Sequence, residues 1–181
     1  IVGAMRLGRR IHDNLRKAMG FIVAVHIPIA GLALLPLLTG MPFLIGPIHI
    51  ALLEMIIDPV SALAFEAEAA EPGIMQRPPR PSRSPLLTPP MLGLALIQGA
   101  VILALVLGLA VTLWQAGTGA PMLRSATFIA LCAGLLVLML VNRRLGSTLR
   151  ALTGGADRVP MLVLSLVAMF LAATQVLPPL T

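Results

Sequence analysis

The sequence predicts an all-α protein, a polytopic transmembrane helical bundle of about five spanning helices preceded by a short cytoplasmic stalk helix. Hydrophobic residues make up 58% of the 181 residues and charged residues only 11%, whereas a soluble domain carries about 25% charged residues. Several stretches also approach the roughly 20 apolar residues that cross a bilayer. These observations exclude an ordinary soluble domain and a disordered chain.

Each element has its own signal in the sequence. Residues 1–19 are basic and amphipathic, which predicts a cytoplasmic helix, and residues 20–181 are predicted to form the transmembrane domain. Spans are expected at about 20–38, 43–65, 91–113, 122–141 and 160–177. The third is the most uniformly apolar, and Trp114 follows it at the position of an interfacial anchor.

The distribution of charge predicts the orientation of the spans. Net charge is +6, and all 13 Lys and Arg residues except Arg124 fall on one side of the predicted bilayer. Because cytoplasmic loops are enriched in Lys and Arg, the N-terminus is predicted to be cytoplasmic. The basic excess therefore indicates the lipid bilayer as the partner. Nucleic acid is not expected as a partner, since aromatic residues for base stacking make up only 3% of the chain.

Two carboxylates in the second span are the main candidates for chemistry. Glu54 and Asp58 are four residues apart, which places them on one face of a helix. Ionisable groups at membrane depth cost about 2.5–3.5 kcal/mol each on insertion scales and usually mark ion pathways. Two like charges on one turn persist when a cation, a proton or water reaches them, so the pair predicts a cation site. The alternative is that both pair with basic groups of neighbouring helices.

Further candidate ligands lie beside this pair. Pro59 lacks the N–H that would bond the Met55 carbonyl, so the helix is expected to kink or unwind and free that carbonyl as an oxygen ligand for a hard cation such as calcium or magnesium. His26 in the first span either ligates the ion, relays a proton or makes an interhelical hydrogen bond. Ser61 lies three residues after Asp58 and is expected to face the site.

The other polar residues of the spans are predicted to serve packing. His49 is off the carboxylate face of its helix, and Gln98, Asn142 and Gln175 are isolated amides of the kind that join helices by hydrogen bonds.

Three motifs occur in order, GRRIHDNLRK at residues 8–17, LEMIIDP at 53–59 and EPGIMQRPPR at 71–80. Together they resemble P-type cation-transporting ATPases, which implies that residues 1–19 are a stalk helix and residues 20–181 a fragment of the transport domain. Residues 8–17 resemble the stalk that enters the fifth membrane helix, residues 53–59 look like the sixth helix, and residues 71–80 are similar to the loop between helices six and seven. The likeness is greatest to the calcium-pump-like (P2) branch and its bacterial members. The five spans would then be helices five to nine.

The resemblance implies ATP-driven cation transport through an aspartyl phosphate. It implies that Asp58 is a central ion ligand, that Glu54 occupies a coordinating position often filled by Asn, and that His26 replaces an Asn ligand. Ile29 and Ile57 fall where calcium pumps carry ligands, so one divalent ion, or a proton-coupled cycle, is expected.

The resemblance also implies that other parts of a pump are needed. ATP and magnesium would bind in cytoplasmic domains outside this chain, because no Asp-Lys-Thr-Gly-Thr phosphorylation motif occurs in its sequence, and the fragment alone should be inactive. Helices one to four and ten would be further partners, and self-association of the fragment is a further possibility. The expected location is a multi-pass position in a bacterial plasma membrane.

Two other hypotheses explain the same residues. One is a stand-alone secondary transporter or channel subunit that uses Glu54 and Asp58 with proton or cation coupling. The other is a structural membrane subunit whose carboxylates pair with a partner's Arg or Lys.

Overall fold

The part of the chain that the structure describes is an all-helical bundle of four long helices. The computed structural model describes residues 1–71, 73–78 and 85–143. In these ranges the helices are α1 (Val2–Thr39), α2 (Pro47–Glu66), α3 (Pro89–Gln115) and α4 (Ala120–Arg143), and a 3₁₀ turn covers Ile74–Gln76. All four helices are long and apolar enough to cross a membrane. The predicted fifth span, 160–177, lies outside the described residues.

Helix α1 combines the predicted stalk and the first predicted span in one continuous helix. Pro28 and Pro36 lie inside it without ending it. The helix ends at Gly40, which has φ 71° and ψ 12°. This left-handed conformation is favoured by glycine because a Cβ would be strained there.

Helix α2 begins at Pro47, four residues later than hydropathy predicts. Gly46 is extended, with φ −100° and ψ 170°, and the following proline occupies the first helical turn, where its missing N–H costs nothing. Pro59 lies inside α2, which remains helical from Pro47 to Glu66. The helix was predicted to kink or unwind at Pro59, and the unwinding is wrong because α2 remains helical on both sides of this residue.

Helix α1 is the centre of the bundle and packs against α2, α3 and α4. The rings of Phe21 on α1 and Phe65 on α2 are both buried, with their centroids 5.6 Å apart. On α3, Gly99 is buried where this helix passes the backbone of α1 at Ala24. The core is therefore built around one helix, and residues on its faces determine how the other three lie.

Candidate cation site

Glu54 and Asp58 lie on the face of α2 that borders α1, and among the described residues none covers them. Both residues are exposed, and about 49% of the Glu54 side chain is accessible. Asp58 lines a groove of about 650 Å³ between α1 and α2, together with His26 and Ser61. The predicted pair is therefore brought together with His26 at one surface, and the groove continues from there along the stalk to Arg10 and Glu66.

His26 is aimed at Glu54. Its Nε2 atom lies 4.0 Å from Glu54 Oε1, while its Nδ1 atom is 2.7 Å from the backbone carbonyl oxygen of Ile22 on the same helix. A carbonyl oxygen only accepts hydrogen bonds, so Nδ1 is the donor in this contact. The hydrogen bond is thus made within α1, and Nε2 is the atom that faces α2.

No basic side chain from Lys or Arg neutralises the two carboxylates within residues 1–71, 73–78 and 85–143. Asp58 forms no ion pair there, and Glu54 approaches only the His26 imidazole. In the same ranges no group of three or more His, Cys, Asp or Glu residues is arranged to hold a metal ion. The described part of the chain therefore supplies some of the ligands that a cation needs, but these residues do not enclose an ion on their own.

Two further oxygen groups lie next to the carboxylates. Ser61 is 5% exposed, and its Oγ donates a hydrogen bond of 3.0 Å to the backbone carbonyl of Asp58. The Met55 carbonyl lacks its usual helical partner because residue 59 is a proline. Ser61 thus faces the groove, as predicted, and α2 supplies oxygen from both side chains and backbone.

The residues assigned to packing have that role in the structure. The His49 ring lies edge-on to Phe128, with centroids 5.3 Å apart. The Asn142 Nδ2 atom donates to Gln98 Oε1 at 3.1 Å, which joins α4 to α3. These contacts confirm the predictions for His49, Gln98 and Asn142, whereas Gln175 lies outside the described residues.

A second polar constellation, the stalk–loop cluster, consists of Asp13, Lys17, Glu71 and Arg77. Arg77 Nη1 bonds Asp13 Oδ2 at 2.9 Å, and Arg77 Nη2 bonds Glu71. Lys17 Nζ lies 3.3 Å from Glu71 Oε1. Positive and negative groups therefore alternate between α1 and the segment that follows α2.

Backbone hydrogen bonds extend this contact. Arg10 donates to the carbonyl oxygens of Glu66 and Glu68 at 3.0 and 2.8 Å, and Asn14 donates to that of Glu68 at 3.0 Å. Arg9 donates to the carbonyls of Ile74 and Arg77, both at 2.7 Å. The last carbonyls of a helix lack partners within it, so α1 completes the hydrogen bonding at the end of α2.

The charged side chains of the stalk–loop cluster shift the pKa values of one another. Burial alone would raise the pKa of Glu71, but the hydrogen bond from Arg77 and the charge of Lys17 outweigh burial and lower that pKa. The hydrogen bond to Glu71 raises the pKa of Arg77 in turn. Both groups are therefore held in their charged forms.

The prediction of site residues missed this cluster because its members are far apart in the chain. Asp13 and Arg77 are separated by 64 residues. The signal available was local: Asp13 and Lys17 are opposite charges at a helical spacing of four. Helical spacing alone does not show which distant loop such a pair meets.

The chain is similar to membrane regions of known ion pumps. The family model described as "Cation transporting ATPase, C-terminus" matches residues 42–181. No solved structure matches the chain.

Curated relatives support the same assignment. The chain is 37% identical over 84 residues to the sodium/potassium-transporting ATPase subunit alpha-3 of Gallus gallus, which is 46% of this chain and 8% of the relative. The match to the alpha-2 subunit of Bos taurus is 33% identical over 106 residues, which is 58% of this chain and 10% of the relative. The human alpha-3 subunit is 36% identical over 84 residues, again 46% of this chain and 8% of the relative. The chain thus spans a tenth or less of each of these proteins.

These relatives also bear on two finer expectations. Their names specify sodium and potassium, so they do not support a special closeness to calcium pumps. They come from vertebrates, so they do not support a bacterial membrane either.

Proposed function

Because this chain belongs to the family of cation-transporting ATPase C-terminal regions, we propose that it supplies part of the intramembrane cation site of an ATP-driven pump. Glu54 and Asp58 are the proposed side-chain ligands. The Met55 carbonyl and His26 are the proposed additional ligands. ATP hydrolysis and its magnesium belong to the cytoplasmic domains of the parent pump.

The observation that carries this proposal is the open pair of carboxylates on α2. Glu54 and Asp58 are both exposed on a helix apolar enough to span a membrane, with no Lys or Arg paired to them in the described part of the chain. A carboxylate at such depth is stable when a cation or proton is close by. A pump that binds and releases a cation provides that partner in each cycle.

The stalk–loop cluster provides the proposed coupling to ATP hydrolysis. Helix α1 is continuous from Val2 to Thr39, and Arg9, Arg10 and the cluster attach it to the segment after α2. A displacement of the stalk would therefore be transmitted to the end of the helix that bears Asp58. The arginine distribution supports a cytoplasmic position for this attachment and for the N-terminus.

The test is formation of the phosphoenzyme from ATP by the full-length pump, measured as a function of cation concentration. Asp58→Asn keeps the shape of the side chain and removes its charge. We expect it to abolish ion-dependent phosphorylation, because the central ligand is lost. Glu66→Gln is the matched control, since it removes another exposed carboxylate of α2 and should leave the dependence on cations unchanged.

The outcomes are distinct. Wild-type phosphorylation and cation affinity in Asp58→Asn would show that Asp58 is not a ligand and would overturn the proposal. The activating ion is identified by testing calcium, manganese, cobalt, zinc, sodium and potassium at constant magnesium. Folding of each variant is checked by size-exclusion chromatography in detergent.

A further inference from the structure

His26 lies close to Glu54 and offers the proposed site a nitrogen ligand, which a site made only of oxygen atoms lacks. In a neutral imidazole one nitrogen carries the proton and the other has a lone pair. The Nδ1 atom donates its proton to the carbonyl of Ile22 at 2.7 Å. In the neutral form of His26, which is the form that can bind a metal, the Nε2 lone pair is then directed away from α1, toward Glu54 Oε1 at 4.0 Å.

This arrangement is the one that metal-binding histidines adopt. A histidine ligand usually donates its second ring N–H to a carbonyl or carboxylate, which fixes the tautomer and the orientation of the ring. The Ile22 carbonyl has that role here. Because the acceptor belongs to the preceding turn of the same helix, the orientation of His26 does not depend on α2.

The distance between the two donors suits a shared ion. Zinc bonds to histidine nitrogen at about 2.0–2.1 Å and to carboxylate oxygen at about 2.0–2.2 Å. In the tetrahedral arrangement that zinc prefers, these bond lengths place the two donor atoms about 3.3–3.5 Å apart. The observed separation of 4.0 Å between Nε2 and Oε1 is about 0.5 Å longer than this, so rotation of the exposed Glu54 side chain would bring both atoms within reach of one ion.

We infer that the transported ion is a divalent first-row transition cation of the manganese, cobalt and zinc class. This inference rests on the proposed function and specifies its substrate. Imidazole nitrogen favours transition metals, whereas calcium and magnesium favour sites made of oxygen alone. His26 and Glu54 supply two donors, and Asp58, the Met55 carbonyl, water and other parts of the pump supply the remainder.

The first test is the ion preference of the full-length pump at constant magnesium. We expect manganese, cobalt or zinc to half-activate phosphorylation at a concentration at least tenfold below that of calcium. In His26→Asn we expect the preference for transition metals over calcium to fall by about 10–100-fold, the usual cost of disturbing a metal site. Asparagine replaces the nitrogen lone pair with an amide oxygen, which calcium accepts.

The second test observes the metal directly without turnover. Manganese is bound to the pump in lipid nanodiscs, and pulsed electron paramagnetic resonance is used to detect coupling to a ligand nitrogen. We expect nitrogen coupling in the wild type and its loss in His26→Asn. His49→Asn is the matched control. It removes an imidazole five positions before Glu54 whose ring packs against Phe128, and it should retain the coupling.

The experiments separate this inference from the proposed function. If Asp58→Asn abolishes phosphorylation while His26→Asn changes neither the ion preference nor the nitrogen coupling, the ion class is wrong and the cation site stands. Activation by calcium, sodium or potassium at lower concentrations than by any transition metal would also overturn the inference. If His26→Asn fails to fold, His26→Gln is measured with the same two readouts and judged by the same results.

Discussion

Replacement of Gly99 by alanine tests how closely α3 is packed against α1. A Cβ at this position would lie 2.5 Å from the backbone oxygen of Ala24 and 2.7 Å from the Cβ of Ile27. Both contacts are to atoms that cannot rotate away, since one is backbone and the other is attached directly to it. The alanine methyl therefore fits only if the helices separate.

The magnitude follows from the distance. A carbon atom normally lies about 3.3–3.6 Å from a carbonyl oxygen, so the helices must move apart by about 0.8 Å or more at this crossing. Core substitutions that add a methylene to a packed site cost about 1–3 kcal/mol. The higher intrinsic helix propensity of alanine offsets at most about 1 kcal/mol of that cost. With the full offset, we expect a net loss of up to about 2 kcal/mol in the free energy of unfolding, and a difference of about 1–3 kcal/mol from an alanine substitution without the clash.

The assay is unfolding of the purified full-length pump in detergent, followed by heat or by titration with a denaturing detergent. Gly108→Ala is the matched control because it lies on the same helix and its Cβ would meet no atom within 4 Å. It should be neutral or slightly stabilising. The packing argument is refuted if Gly99→Ala is as stable as Gly108→Ala.

Two further predictions concern polar contacts. The lowered pKa of Glu71 means that its ion pairs stabilise the fold above the ordinary value of 4.5 and are lost as the pH falls through the lowered pKa. Unfolding temperatures measured from pH 7 down to pH 2 should show this loss below pH 4.5 in the wild type and a smaller loss in Glu71→Gln; equal pH profiles would contradict it. Asn142→Leu should cost about 1–2 kcal/mol because it leaves the Gln98 amide without its partner. Adding Gln98→Leu should recover part of that cost in a double-mutant cycle, and strict additivity would count against the contact.

The spans could be predicted from the sequence because hydropathy is a local property. The third and fourth predicted spans, 91–113 and 122–141, differ from α3 and α4 by about two residues at each end. The second span was predicted from residue 43, yet α2 begins at Pro47. Hydropathy includes Leu44 and Ile45, which are indeed buried, but it does not register that the extended Gly46 and the following proline set the start of the helix.

The candidate site could be predicted only in part, for a geometrical reason. The spacing of Glu54 and Asp58 within one helix shows that they share a face. Whether His26 reaches that face depends on the rotation and axial position of α1 against α2, which no spacing within either helix determines. From the sequence alone, His26 could therefore be a ligand, a proton relay or a partner in an interhelical hydrogen bond. The structure shows that its Nε2 atom is the ring nitrogen that faces Glu54.

The position of α1 against α2 is itself set by contacts outside the candidate site. At one end Arg10 holds the carbonyls of Glu66 and Glu68, and further along the same helix Phe21 packs against Phe65. A slip of one residue would move α1 by about 1.5 Å and turn its side chains by about 100°, which would direct His26 away from Glu54. The contacts of Arg10 in the stalk and of Phe21 in the first span therefore hold α1 in the register at which His26 faces Glu54. In the proposed pump, the same rigid helix that carries a movement of the stalk would also open or close the His26–Glu54 pair.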